Sequence, residues 1–389
     1  MPARRGLPLP VLSALALGAL TLAACDGASP AGGDLIGQGG EPVVNEIALA
    51  DLAATDAPDG SFGAALGAQA TQSRVLAGRV ADPLFGDVAA TAYVDFARPA
   101  LPESFRNATP TSVSLILPFG LYAYGDPEAD VTLGIAQVTE AWRPTRDGVE
   151  LEGGTAIATG APFSTVTAPD TSRTLTVPLS AAWVTGSGSL LTSPDSVYTD
   201  AFKGLALLPP DLPSAVRGIT ATGVRLQVVV AEDTLSYFAN EVYTYVDAAA
   251  PPAEAAGVPV RDGTGRALGL TLPLDADSLR GSALSQARLV VRLDTAALQA
   301  DALTRPIPTA LSLVGVRDDS TRALLNNAAV VDGEAIFSGT TVTNVVQDAI
   351  FGAPLFERYD VIVPASPASI NVAPYTSADL VLVRVPPVE

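Results

Sequence analysis

The chain has 389 residues, with 22 basic and 41 acidic side chains, no histidine, one cysteine and one methionine, and its formal net charge is −19. The absence of histidine excludes Ser-His-Asp and Cys-His catalysis and the usual His/Cys zinc sites. The excess of acid, with no basic cluster along the sequence, argues against nucleic acid as a partner. We therefore expect a protein that is not an enzyme.

Residues 1–24 have the layout of a bacterial lipoprotein signal peptide. A positive start containing Arg4 and Arg5 precedes an apolar run from Val11 to Leu20, which is too short to span a bilayer comfortably. The run ends in Leu22-Ala-Ala-Cys25, the pattern that lipoprotein signal peptidase reads. We expect lipid on Cys25 to anchor the chain in the bacterial envelope, in the outer membrane rather than the inner one, facing the periplasm or the cell surface. The alternative is an ordinary signal peptide in which the cysteine is incidental.

The rest of the chain favours a tether followed by strands. Residues 25–45 are small, polar and glycine-rich, which is typical of a flexible tether. Beyond them, short apolar runs are bounded by Gly, Pro, Asp and Asn, and the clearest predicted strands are 113–117, 131–138, 224–230 and 288–293. The best helix runs from Thr341 to Phe351, with Gly352 placed as a C-terminal cap. The prediction is an all-β fold with short helical inserts.

Segments of the two halves of this body resemble one another in the same order. The five aligned pairs are Val113–Pro118 with Ala287–Arg292, Thr132–Val138 with Ala310–Val316, Thr176–Trp183 with Thr341–Asp348, Lys203–Leu208 with Tyr359–Pro364, and Gly223–Val230 with Ala378–Val385. A repeat of this kind predicts two tandem β-sandwich domains, jelly-roll-like, over residues 46–250 and 251–389. Their seam would lie in the Ala- and Pro-rich segment 248–253.

Several landmarks resemble a family of lipoproteins from Bacteroidetes-type bacteria known as domain of unknown function 4270. They are Gly78-Arg-Val-Ala-Asp-Pro-Leu-Phe-Gly86, Ala90–Phe96, Phe202-Lys-Gly-Leu205, Asp233–Tyr237, the strand beginning at Ser285, and the helix from Thr341 to Gly352. The resemblance runs from about residue 34 to the end of the chain. It implies a β-sandwich architecture and an envelope location, and it implies no catalytic residues.

Asp126, Glu128 and Asp130 are the candidate metal ligands. They alternate in a loop between two predicted strands, and clustered carboxylate oxygens are the ligands that Ca²⁺ takes. The alternative is that the Asp-Pro pair here marks an ordinary turn. Asp275 and Asp277 form a similar pattern of alternating acids, and the same alternative of an ordinary turn applies to them. No other cofactor is expected.

Tyr122 and Tyr124 are the candidate ligand-binding aromatics. Residues two apart on a strand share one face, so both rings could stack on a sugar. Tyr243 and Tyr245 repeat the pattern, and Trp142 and Trp183 are the only tryptophans. The alternative is that all of these are cross-strand pairs and core residues.

These features favour a non-catalytic envelope lipoprotein that binds a glycan or a partner protein. One alternative is a glycan hydrolase or lyase that works with two facing carboxylates, which a chain with 41 acids could supply. Another is a structural subunit of an outer-membrane assembly. The sequence leaves these alternatives open.

Overall fold

The computed structural model describes residues 45–58, 65–66, 73–145, 148–151, 157–248, 258–261, 266–274, 279, 283–299, 301–317, 321–364 and 370–384. The predicted signal peptide, Cys25, the tether up to residue 44, and the pair Asp275 and Asp277 lie outside the described residues. Residues Glu46–Val385 fall within one compact unit.

The described chain is built almost entirely from strands. In chain order they are β1 (Asn45–Leu49), β2 (Ala54–Pro58), β3 (Ala65–Leu66), β4 (Arg74–Asp82), β5 (Gly86–Phe96), β6 (Ser112–Gly125), β7 (Val131–Gln137), β8 (Trp142–Thr145), β9 (Gly148–Leu151), β10 (Ser164–Ala168), β11 (Arg173–Pro178), β12 (Leu205–Leu208), β13 (Ala215–Thr220), β14 (Arg225–Val230), β15 (Asp233–Ala248), β16 (Pro259–Arg261), β17 (Arg266–Leu270), β18 (Leu284–Leu293), β19 (Ala310–Val316), β20 (Arg322–Val331), β21 (Glu334–Phe337), β22 (Arg358–Ile362) and β23 (Val372–Arg384).

The helices are short. The α-helices are α1 (Ala181–Ser187), α2 (Asp195–Ala201) and α3 (Thr340–Ile350), and 3₁₀ turns occupy Glu103–Phe105, Gly188–Thr192, Ala221–Gly223 and Ala297–Gln299. In the part of the chain that the structure describes, no helix is long and apolar enough to cross a membrane. The prediction of an all-β fold with short helical inserts is confirmed. The predicted helix is also confirmed: it is α3, and Gly352, with a φ of 84°, follows its last turn.

Two large antiparallel sheets hold nearly all of these strands. The first has the order β10-β7-β12-β5-β4-β13-β6-β14-β15-β3, with β11 added beside β6. The second has the order β1-β23-β18-β21-β20-β19-β22-β17-β2, with β16 added beside β23. In the first sheet β15 also pairs with β5, so six of its strands close into a ring.

Strand pairing repeats between the two sheets. In the first, β5 pairs with β12, β12 with β7, β7 with β10, and β6 with both β11 and β14. In the second, β17 pairs with β22, β22 with β19, β19 with β20, and β18 with both β21 and β23. Four of the five aligned sequence pairs fall on corresponding strands. The alignment of Thr176 with Thr341 is out of register, because Thr176 lies in strand β11 whereas Thr341 lies in helix α3.

The first sheet is buried on both faces along β4. Val75 and Ala77 belong to a core inside the ring, whereas Leu76 belongs to a larger core shared with the second sheet. Consecutive apolar residues are what a strand needs when both of its faces are covered. The strands β1 and β2, from the start of the body, pair within the second sheet. The division into domains 46–250 and 251–389 stays a prediction, since its seam lies mostly outside the described residues.

The landmark Gly78–Gly86 forms the hairpin between β4 and β5. Asp82 Oδ1 accepts hydrogen bonds from the backbone N–H groups of Leu84 (2.8 Å) and Phe85 (3.3 Å), which fixes the turn. The Phe85 ring is buried in the shared core. Gly78 has a φ of 136°, and a Cβ there would lie 2.2 Å from the carbonyl oxygen of Ala215 on β13. Each of these residues thus has an architectural role.

Candidate ligand-binding cleft

Tyr122 and Tyr124 share a face of β6, but their surroundings differ. The Tyr124 side chain is fully buried, and its hydroxyl donates to Asp82 Oδ2 at 3.0 Å. Tyr122 is half-buried, accepts a hydrogen bond from the Ile370 N–H at 2.8 Å, and has the Arg74 guanidinium carbon 4.9 Å from its ring centre. The Tyr124 ring therefore offers no face to a sugar, and the Arg74 guanidinium occupies one face of Tyr122.

The loop that carries Asp126, Glu128 and Asp130 is organised around an arginine. Arg217 is buried, and its Nη2 donates to the carbonyl oxygens of Asp126 (3.3 Å), Pro127 (2.8 Å) and Ala129 (2.9 Å). Burial lowers the pKa of Arg217, and the charges of nearby acids that include Asp126 and Asp130 oppose that shift.

The three carboxylates of this loop are exposed. Asp126 Oδ1 accepts from the Glu128 N–H at 2.9 Å, as in an ordinary aspartate turn. Among the described residues, no three acidic side chains converge as metal ligands would. The Arg217 guanidinium holds the backbone of this loop, and calcium on its three carboxylates stays a prediction.

Three of the remaining aromatic candidates pack against other rings, whereas Tyr245 is exposed on β15. Tyr243 on β15 pairs across the sheet with Tyr93 on β5, with ring centres 6.2 Å apart, and Trp142 covers both. Trp183 stacks on Phe163 at 5.0 Å. These contacts fit the interpretation of cross-strand pairs and core residues.

Arg305 is the centre of a buried ionic network, and Asp82 is its main partner. Arg305 Nε donates to Asp82 Oδ2 at 2.7 Å and Nη2 donates to Asp82 Oδ1 at 3.1 Å. Its remaining N–H groups reach Asp301 Oδ1 (2.6 Å), Asp301 Oδ2 (2.7 Å) and the Leu298 carbonyl (3.1 Å). Burial lowers the pKa of Arg305, but its hydrogen bonds to Asp301 and Asp82 raise that pKa by more. The hydrogen bonds from Arg305 also lower the pKa of Asp301. The network joins the two halves of the chain and is closed to solvent at Asp82, so its role is structural.

Asp95 is the described aspartate whose pKa is raised. Burial on β5 raises the pKa of Asp95 to about 6, the charge of Glu241 adds to the shift, and hydrogen bonds from Phe96 and Asn240 oppose it. A carboxyl group with a raised pKa, next to a second acidic residue, is one element that a carboxylate-based hydrolase needs. Neither Asp95 nor Glu241 lines the cleft described below, and we assign the pair no catalytic role.

A cleft of about 510 Å³ opens where the loop after β5 meets the turn before α2. Its lining residues are Arg98, Pro99, Ala100, Leu101, Arg106, Asn107, Thr192, Ser193, Pro194 and Asp195. Ligand sites for small molecules are commonly clefts of this size. Two guanidinium groups on its wall make it the candidate functional site.

The Arg98 side chain is held firmly in the wall of this cleft. Its Nη1 donates to Asp195 Oδ1 at 2.8 Å, its Nη2 donates to the Ser193 carbonyl, and its guanidinium carbon lies 5.5 Å from the ring centre of Tyr198. Only 11% of the Arg98 side chain is exposed, compared with 87% for Asp195. Arg98 therefore ties the loop after β5 to the start of α2.

The Arg106 side chain is exposed and is held by one contact. Its Nε donates to the Leu101 carbonyl at 3.3 Å, across the same loop. Asn107, beside it, adopts a φ of 55°, a conformation that asparagine tolerates better than most residues, and its N–H donates to the Thr192 carbonyl at 2.8 Å. The backbone thus presents Arg106 and Asn107 side by side at the mouth of the cleft.

Sequence reasoning missed this site. Arg98 and Arg106 are eight positions apart, so no basic cluster was visible along the chain. Asp195 and Ser193 come from a segment almost a hundred residues later, as their contacts with Arg98 show. A usable signal was the loop itself, since it places two of the chain's few basic residues among the prolines of segment 97–110.

A scan against protein-family models and a search of curated proteins found no match to this chain. The resemblance to domain of unknown function 4270 therefore stays a prediction.

Proposed function

We propose that this protein is a non-catalytic, lipid-anchored binding protein of the bacterial envelope, and that its ligand is a glycan. The signal-peptidase pattern Leu22-Ala-Ala-Cys25 supports both the lipid anchor and export from the cytoplasm. The lack of histidine and of a free thiol in the mature chain supports a binding role over nucleophilic catalysis.

The cleft lined by Arg98, Arg106 and Asp195 carries the proposal. It combines a fixed wall, made by the contacts of Arg98 with Asp195 and Ser193, with exposed polar groups on Arg106 and Asn107. Prolines 99 and 194 and Leu101 add apolar surface. Sugar rings have apolar faces rimmed by hydroxyls, so a site for them needs both kinds of surface.

A glycan array tests the proposal. The probe is the full-length chain carrying Cys25→Ser, which is exported without lipid, applied with calcium and again with EDTA. If an oligosaccharide binds specifically, and the Arg106→Gln change weakens that binding, the result supports a glycan receptor. Arg288→Gln is the control, because Arg288 is a partly exposed arginine on β18 in the second sheet, where it pairs with Glu46, away from the cleft. Binding to no glycan in either buffer would overturn the proposal.

A further inference from the structure

The charge of the cleft is opposite to that of the chain. The whole sequence has 41 acidic and 22 basic residues, whereas the cleft lining has two arginines and one aspartate. At physiological salt a charge is screened beyond about 8 Å, so the groups lining the cleft outweigh the distant acids for a bound ligand. The local balance favours an anion.

The free positive charge belongs to Arg106. The charge of Arg98 is compensated by Asp195, which its Nη1 contacts at 2.8 Å. The Arg106 backbone N–H donates to the Glu103 carbonyl, but its side chain donates only to the neutral Leu101 carbonyl, through Nε, and has no ion pair among the described residues. Its two Nη groups therefore remain free to donate to a ligand.

The hydrogen bond from Nε to the Leu101 carbonyl also orients the Arg106 guanidinium. An arginine fork matches the two oxygens of a carboxylate or a sulfate, and this geometry gives stronger hydrogen bonds than a neutral donor does. Holding one edge of the fork in place reduces the conformational entropy lost on binding. Asn107, next to Arg106, adds an amide that can donate to or accept from a sugar hydroxyl.

We infer that the cleft binds an acidic sugar, with one carboxylate or sulfate group on the Nη groups of Arg106 and the ring between the apolar walls. This inference rests on the proposed function and deepens it by naming the ligand class. Long polyanions are repelled by the acidic surface, so the bound unit is a short oligosaccharide or a chain end.

An acidic sugar fits this cleft better than an acidic peptide does. Extended peptides commonly bind by adding a strand to an exposed sheet edge. The cleft lining instead comes from the loop after β5 and from residues 192–195, and it includes no residue of a described strand. A loop-built cleft with convergent polar groups is the usual arrangement for a small ligand.

The test compares an acidic sugar with its uncharged ester and adds a sulfated sugar as a second kind of anion. Titration calorimetry on the full-length Cys25→Ser protein would use trigalacturonate, its fully methyl-esterified form, and a sulfated disaccharide. We expect the ester to bind about ten- to a hundredfold more weakly than the acid, because it loses a charge-assisted hydrogen-bond pair. Arg106→Gln should weaken the binding of trigalacturonate by a similar factor. Arg106→Lys should weaken it by less, and Arg288→Gln should change it very little.

The outcomes separate this inference from the proposed function. Binding of a sulfated sugar alone, lost in Arg106→Gln, supports the inference with sulfate as the anion. Equal binding of acid and ester, or of neutral glycans only, overturns the inference and leaves the glycan receptor standing. Binding of hexaglutamate through Arg106 but of no sugar overturns both.

Discussion

Arg305 Nε donates a 2.7 Å hydrogen bond to Asp82 Oδ2 across 223 residues of sequence, and neither side chain has any surface exposed to solvent. Nearby, Gly125 and Thr304 exchange two backbone hydrogen bonds of 2.9 and 2.8 Å. The hairpin that carries the Gly78–Gly86 landmark is thereby bound to the second half of the chain. All five N–H groups of Arg305 have partners, which is the condition under which a buried charge is tolerated.

Arg305→Met should destabilise the protein by about 3–5 kcal/mol, because it leaves the Asp82 carboxylate buried without its counter-charge. Arg292→Met is the control: Arg292 also contacts two carboxylates, but its side chain is 38% exposed, and surface pairs contribute about 1 kcal/mol or less. Urea unfolding of both variants measures the difference. Equal losses in the two variants would contradict a special role for the buried pair.

Gly78→Ala should also be strongly destabilising. Its added Cβ would lie 2.2 Å from the Ala215 carbonyl oxygen, in a backbone conformation of φ 136° that alanine rarely adopts. Gly186→Ala is the matched control, since Gly186 lies in α1 with no atom within 4 Å of the new Cβ. That change should be neutral or stabilise by up to about 1 kcal/mol. Thermal unfolding of both variants, compared with the parent, would show opposite or clearly unequal shifts in Tm.

Periodicity predicted the strands because it records which side chains are buried. The runs at 113–117 and 288–293 lie within strands, those at 131–138 and 224–230 exceed their strands by one residue, and the helix predicted from Thr341 begins at Thr340. What periodicity does not record is which strand pairs with which. That is why β1 and β2 joining the second sheet, and β15 closing a ring with β5, emerged only from the structure.

The candidate site was harder to predict because its residues meet through loops. Asp126, Glu128 and Asp130 are conspicuous in the sequence, yet their loop is arranged around Arg217 from a strand about 90 residues later. Arg98 and Arg106 are inconspicuous, and their shared cleft depends on how one proline-containing loop packs on residues 192–195. Short-range patterns carry no information about such a contact.

Calcium should leave the thermal stability of the protein unchanged. A ligand that binds the folded state raises Tm, and the carbonyl oxygens that would help to coordinate Ca²⁺ here already accept from Arg217. Thermal unfolding in EDTA and in millimolar calcium tests this directly. A calcium-dependent rise in Tm that disappears in Asp126→Asn would support a calcium site in this loop. Arg217→Met should lower Tm in both buffers, because it removes three partly buried hydrogen bonds that hold the loop.

Cys25→Ser should move the protein from the membrane fraction to the soluble fraction. The serine hydroxyl cannot form the thioether to diacylglycerol, and no described helix can anchor the chain instead. Fractionation of the producing cells, followed by immunoblotting, measures the shift, and Ser29→Ala in the tether is the control. Retention in washed membranes of Cys25→Ser protein that has lost residues 1–24, as mass spectrometry would establish, would contradict a lipid anchor at this cysteine.

Asp95→Asn should stabilise the protein at pH 8 but not at pH 4. The folded state raises the pKa of Asp95 from 3.8 to about 6, so it binds this proton more tightly than the unfolded chain does. The favourable contribution of the neutral carboxyl is therefore complete below pH 4 and is lost as the pH rises through 6. At about 1.4 kcal/mol per pKa unit, the gain from a neutral amide at pH 8 is at most about 3 kcal/mol, and less where water screens the group. Urea unfolding at both pH values measures it, with Asp247→Asn on the exposed side of β15 as the control. A gain of equal size at pH 4 would contradict the assignment, because the carboxyl is already neutral in the folded protein at that pH.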